Sequence, residues 1–222
     1  MDYSRTHTRQ LDVLPENLLE SDIAIIGLGG VGSPTAYILA KMGFKNLQLC
    51  DFDKVDAHNI ASQFYSLEDI GKNKAEALAK RIEKELETKV KVLCHKAETY
   101  KGARIVISAI DSMDERIKIW QETSYPVDDP PEYLIEARMG LEFARIYAFS
   151  PYDSKARSSY EKNLYPSSEA IELPCSARAI CYNTFFIGSI IANYVKKIVL
   201  GGTPPFETIA DLDKMGVAIF KA

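Results

Sequence analysis

A chain of 222 residues with 46% hydrophobic and 26% charged side chains holds enough apolar material for one substantial core, and is a little long for an average single domain. Its formal net charge of -4 argues against a surface built for nucleic acid or an anionic membrane, both of which favour a basic excess, and leaves only local basic sites open. The polar start MDYSRTHTRQ lacks the apolar stretch of a signal peptide, and the cysteines at 50, 94, 175 and 181 form no CxxC pair, so a reducing cytoplasmic setting is expected.

The first predicted element is DIAIIG, residues 22–27, an apolar run bounded by an acid and a glycine, as in a fully buried parallel strand. VGSPTAYILAKMGF follows with apolar residues at helical spacing and closes on Gly43, a C-terminal stop. NLQLCD, KVKVLCH and RIVISAI read as the second, third and fourth strands. Between the second and third, KNKAEALAKRIEKELE sets Ala75, Leu78, Ala79, Ile82 and Leu86 on one stripe, with its charges on a solvated face. This alternation predicts an α/β fold, a Rossmann-like, doubly wound and mostly parallel sheet.

Beyond residue 130 the pattern changes. EYLIEAR and EFARIYAFS read as two further strands, close enough in sequence for an antiparallel or irregular pair. Residues 151–174 are polar, rich in Tyr and Ser and bounded by prolines, which predicts a long loop of functional or mobile character. CSARAICYNTFFIGSIIANYVKKIVLGG is expected to form a long helix with a Gly-Gly stop. Its apolar run is too short to span a bilayer. FETIADLDKMGVAIF can finish the sheet as a hairpin. With no internal repeats, a single domain over residues 1–222 with a crossover loop at about 151–174 is expected.

GLGGVGS, residues 27–33, fits G-x-G-x-x-G between a strand and a helix, with Gly27, Gly29 and Gly32 in the three positions and Gly30 inside the turn. Glycines there let backbone N–H groups approach phosphate at the helix N-terminus. Asp51, at the end of the next strand, can accept bonds from ribose hydroxyls. These features serve NAD, FAD or ATP equally. A hydride-transferring enzyme needs a largely apolar nicotinamide pocket, whereas nucleotidyl transfer needs cations and amides around a triphosphate and a carboxylate for Mg²⁺. Asn59, Gln63, Lys72 and Lys74 lie in one polar connection after Asp51, and Asp111 follows the fourth strand, so the second chemistry is favoured.

DFDKVDAHNIASQ resembles the signature D-x-D-x-V-x-x-x-N-L-x-R-Q of the ThiF/MoeB/HesA family, relatives of the ubiquitin-activating enzymes. GLGGVG, GKNK with Lys74, SAIDS with Asp111, and Arg9-Gln10 near the N-terminus follow in the family's order. The resemblance implies ATP-dependent adenylation of the C-terminal carboxylate of a ubiquitin-like or sulfur-carrier protein ending in Gly-Gly, with release of pyrophosphate. It implies that Asp51 holds the ribose and that Asn59, Gln63 and Lys74 contact phosphates. Gly27, Gly29, Gly30, Gly32 and Asp53 belong to the same nucleotide-binding set. By the same resemblance Asp111 holds Mg²⁺, and Arg9 reaches the triphosphate of the other subunit of a homodimer. Two departures stand out: Ser62 occupies the position of the family's Arg, and the family's frequent CxxC zinc pairs are absent, so no zinc is expected.

Members that pass the activated carrier onward form a thioester on a cysteine. Cys175 follows Pro174 at the start of the long predicted helix, where the helix N-terminus favours a thiolate. Cys181 is expected deeper in that helix and more buried, while Cys50 and Cys94 fall in strands as small core residues. Three alternatives stay open: a non-catalytic subunit lending Arg9 to a partner, an NAD(P)-dependent Rossmann oxidoreductase, and adenylation of a tRNA base, which the acidic balance disfavours.

Overall fold

Short apolar runs form strands here because both of their faces are covered. The computed structural model describes residues 7–86, 88–93, 100, 102–124, 129–169 and 179–222. Strands β1 (Ile23–Ile26) and β4 (Ile105–Ser108) are buried at every position and lie side by side in parallel, Ile23 level with Ile105. On the other flank of β1 run β2 (Leu47–Cys50) and then β3 (Lys91–Leu93), both parallel.

β5 (Tyr133–Gly140) continues the parallel set beside β4. The chain then turns back through Leu141 and Glu142 into antiparallel β6 (Phe143–Phe149), followed by the antiparallel hairpin β7 (Glu207–Asp211) and β8 (Gly216–Phe220). The eight strands make one sheet in the order β3-β2-β1-β4-β5-β6-β7-β8. The expected mostly parallel sheet, extended by antiparallel C-terminal strands, is therefore the observed one.

The pleat sends alternate side chains to opposite faces, and the two faces differ in composition. One is aliphatic: Ile23, Ile25, Leu49, Ile107 and Ile146 meet helices α1 (Gly32–Lys41), α2 (Lys74–Leu86) and α5 (Cys181–Val199) through Leu39, Leu78, Ile82, Ile187, Ile191 and Val195. The other is aromatic, with Trp120 of α3 (Met113–Thr123), Tyr160 of α4 (Ser154–Glu161), Tyr147 and Phe149 meeting edge to face or tilted at centroid distances of 4.9–5.7 Å. Gly43, at φ +94°, ends the α1 segment as its position implied.

Three expectations are corrected. Residues 151–174 are not one long loop: α4 occupies Ser154–Glu161 and a 3-10 turn Ser167–Glu169, while 170–174 lie outside the described residues. The missed signal is the cap, because the Asp153 carboxylate accepts the N–H groups of Lys155 and Ala156 at 2.9 and 3.1 Å. The long helix opens at Cys181, since Ile180 before it is extended, and Cys181 is exposed rather than buried. Cys175 lies outside the described residues, as does Cys94. Helix α3 starts behind Ser112, whose hydroxyl accepts the Glu115 N–H at 3.3 Å. Among the described residues no helix is long and apolar enough to cross a membrane.

Candidate functional site

The strand order places the carboxyl ends of β2, β1 and β4 next to one another, where open α/β sheets bind ligands. Gly27 ties these ends together. It sits at φ +84°, its N–H donates to the Cys50 carbonyl at 2.8 Å, and a Cβ on it would stand 2.8 Å from the Ala109 carbonyl oxygen. A side chain on Gly32 would collide with the Gly27 carbonyl, so these two glycines close the turn. Gly30 is packed against Met139 and Thr184, whose atoms lie 3.0 and 3.2 Å from where its Cβ would be. Among the described residues Gly29 is the glycine of the turn whose Cβ position is least crowded, with Gln63 Nε2 at 3.9 Å the nearest atom to it.

The turn is bolted to the polar connection that follows β2. Asp51 Oδ2 accepts the Leu28 N–H at 2.7 Å, and its Oδ1 accepts the Asp53 N–H at 2.8 Å. Tyr65 donates its hydroxyl to the Leu28 carbonyl at 2.8 Å, so Leu28 is held from both ends. Ser33 donates to the Gly29 carbonyl at 2.7 Å and accepts the Phe64 N–H at 2.9 Å. Burial pushes the Asp51 carboxyl above the usual carboxylate range, against the opposing pull of the Leu28 amide and the nearby Lys74.

Gln63 lies beside Gly29 with its Nε2 turned toward it, and its Oε1 is buried without a hydrogen-bond partner among the described residues. Asn59 is buried and uses its Oδ1 to accept the Asp56 N–H at 2.8 Å in a capping box. Lys74 is nearly buried, with its Nζ 3.3 Å from Asp53 Oδ2, so Asp53 acts as the partner that aims Lys74. Lys72 pairs instead with Asp69 at 3.3 Å, and Arg81 meets the same carboxylate at 3.2 Å while its guanidinium covers Phe64. At Ser62 the backbone N–H donates to the Asn59 carbonyl at 3.2 Å.

Asp111 is exposed just past the end of β4. The segment before it is anchored from below by buried Arg116, which donates to the Ile110 carbonyl and, at 2.9 Å, to the Ala137 carbonyl, and pairs with buried Glu136. Among the described residues no three His, Cys, Asp or Glu side chains converge. A magnesium ion fits that setting, because it is commonly held by one carboxylate, phosphate oxygens and water. A nucleotide fits the turn, since among the described residues Gly29 leaves its outer side clear and the Gln63 Nε2 beside it can donate to a phosphate oxygen.

Arg9 is not brought to this place. It is exposed in a 3-10 turn, Thr8–Gln10, whose Gln10 donates to the Met42 carbonyl at the far end of α1. A ten-residue helix is about 15 Å long, so Arg9 and the glycine turn stand at opposite ends of α1 within one chain. Sequence reasoning missed Ser33, Tyr65, Arg116 and Glu136. Ser33 and Tyr65 adjoin the recognised motifs, whereas Arg116 and Glu136 carry no local signal.

The chain matches the ThiF family over residues 7–218. It is 34% identical over 102 residues to the NEDD8-activating enzyme E1 catalytic subunit of Arabidopsis thaliana, a stretch covering 42% of this chain and 22% of that protein. It spans between 17% and 32% of the length of such curated relatives. Among solved structures, E. coli MccB in complex with AMPCPP and MccA superimposes at a TM-score of 0.74 with 17% identity, over 100% of this chain and 73% of that one. The E. coli tRNA N6-threonylcarbamoyladenosine dehydratase TcdA, solved with AMP, does so at 0.69 with 21% identity, over 90% and 97%. These two likenesses speak for the fold. With a family match over nearly its whole length, the chain belongs to the ThiF family.

Proposed function

We propose that this chain binds Mg·ATP at the glycine turn and adenylates the C-terminal carboxylate of a ubiquitin-like or sulfur-carrier protein. The observation that carries the reading is the Gln63 side-chain amide beside Gly29: its Nε2 can donate to a phosphate oxygen in front of the one glycine of the turn that, among the described residues, no other atom crowds. In this reading Asp51 orients the ribose, the Gly29 and Gly30 amides and the α1 N-terminus receive phosphate, Asn59 and Gln63 orient the phosphate chain, and Lys74 offsets part of its charge. Asp111 holds Mg²⁺, which lowers the charge that an incoming carboxylate must approach. The carboxylate oxygen bonds to the α-phosphorus, the bond to the bridging oxygen breaks, and pyrophosphate leaves.

Arg9, on the far side of its own subunit, serves the site of a second copy, so the enzyme is a homodimer. A thioester on Cys175 follows where the acyl group is passed on. The test is ATP–pyrophosphate exchange with small Gly-Gly-terminated proteins encoded beside this gene. Exchange is expected to vanish in Asp111→Ala and in Arg9→Ala and to return in part when the two inactive proteins are mixed. Full exchange in Asp111→Ala would remove that metal site, and no recovery on mixing would remove the action of Arg9 in trans. A thiol-sensitive carrier adduct persisting in Cys175→Ala would move the thioester elsewhere, with exposed Cys181 the next variant to examine.

A further inference from the structure

A cleft of about 360 Å³ opens beside the site, on the α3 and α4 side of β5 and β6, and among the described residues no acidic side chain lines it. Its cations come from Arg138, Arg145 and Lys162, with Phe143 and Tyr165 supplying apolar wall. The strand register sets Arg138 directly opposite Arg145, a like-charge pair that costs stability unless it is compensated.

Compensation is partial. Glu136 pairs with Arg138 at 2.9 Å and also with Arg116, and Glu207 reaches the Nε of Arg145 at 3.0 Å. Arg138 is further fixed by donating to the Asn163 carbonyl at 2.9 Å and by lying over the Tyr147 and Tyr165 rings. Arg145 is engaged only through Nε: among the described residues nothing accepts from its terminal amino groups. Lys162, just past the end of α4, is exposed and makes no ion pair among the described residues. Four cations thus face two carboxylates in and beneath one small cleft.

Position decides what kind of anion fits. Met139 lines the cleft, yet its side chain points through the other face of the sheet to Gly30. β5 therefore stands between the cleft and the glycine turn, which places the cleft off the path of phosphates bound at that turn. We infer that the cleft is an anion subsite that takes a carboxylate side chain of the polypeptide whose C-terminus is activated next door, and so selects acidic tails. This rests on the adenylation reading. The volume suits a glutamate side chain and its neighbours, and Phe143 and Tyr165 can cover the methylenes while Arg145 and Lys162 meet the oxygens.

The probes are two rhodamine-labelled peptides ending in Gly-Gly that differ only in carrying glutamates or glutamines upstream, followed by fluorescence anisotropy without nucleotide. The glutamate peptide is expected to bind the wild-type protein about five-fold more tightly, the size of one partly shielded ion pair. That preference disappears in Arg145→Gln and in Lys162→Gln and returns in Lys162→Arg, with urea midpoints confirming that each variant is folded. Equal or absent binding of the two peptides overturns the inference, as does a preference that survives both neutral variants. Displacement of the glutamate peptide by inorganic pyrophosphate at lower concentration than by unlabelled peptide assigns the cleft to nucleotide and overturns it too. ATP affinity is measured alongside: wild-type protein that ignores ATP but keeps the peptide preference fails the adenylation reading alone.

Discussion

The two halves of the sheet furnish their carboxyl ends by different means. In the parallel half, around β1, β2 and β4, the site is mostly backbone: glycines close a turn, and Asp51, Ser33 and Tyr65 fasten that turn to the connection after β2. In the half that runs from β5 into β6, the corresponding space is filled by charged and polar side chains from three elements, with buried Glu136 between Arg116 of α3 and Arg138 of its own strand and Tyr160 of α4 donating to it at 3.2 Å. Backbone sites are marked by glycines at fixed offsets. Side-chain sites depend on which elements the topology brings together, and leave no short motif.

The largest expected effect breaks the second half. Burial first, and then neighbouring Arg138, pull Arg116 down to about 10, still protonated at neutral pH, so Glu136 faces two guanidinium cations. Glu136→Gln keeps the shape and removes the countercharge. It is expected to lower the unfolding free energy by about 3–5 kcal/mol, as when one partner of a buried ion pair is lost, measured by urea denaturation. Its effect should also reach the Asp111 segment, because the same Arg116 holds the Ile110 carbonyl. A loss no larger than that of a surface substitution would show that the guanidinium groups are solvated and the network is not what ties the halves together.

A smaller change sharpens the first half. Tyr65→Phe deletes one buried hydroxyl and leaves the Leu28 carbonyl without that donor. A cost of about 1 kcal/mol is expected, together with weaker ATP binding by calorimetry, because Leu28 carries the turn that ends at Gly29. Unchanged affinity alongside lowered stability would make Tyr65 a support of the fold and not of the site.

The contrast also explains what the sequence revealed. Strands β1, β2 and β4, helices α1 and α2 and the glycine turn follow from period, caps and Gly spacing, all local properties. The terminal hairpin was legible for the same reason. Helix α4 was not: only Ala156 and Tyr160 are buried on it, too few to set a period, and its flanking prolines and serines imitate a loop. Asp53 was read with the nucleotide-binding set from its place in the motif, but its pairing with Lys74 is a contact across 21 residues that no motif encodes. Arg9 shows the complementary limit, since its motif was readable but its separation from the glycine turn is a property of the assembled fold.

The smallest expected effect separates two carboxylates within the parallel half by pH. Burial raises Asp51, so its native form binds a proton more readily than the unfolded chain. As pH falls from neutrality through that raised value, wild-type protein gains stability relative to Asp51→Asn, and the gain is complete near the unfolded value of about 4. Asp69 behaves in the opposite sense. Burial alone would raise it, but the Ser66 amide and hydroxyl, Lys72 and Arg81 together hold it below the usual range. Its stabilisation over Asp69→Asn is therefore full at neutral pH, still full at about pH 5, and lost only below about pH 4. Urea midpoints of the three proteins across that range should show one gap changing above about pH 4 and the other below it. If both gaps close together on acidification, Asp51 is ionised at little cost, and its two amide partners rather than its burial govern the ribose end of the site.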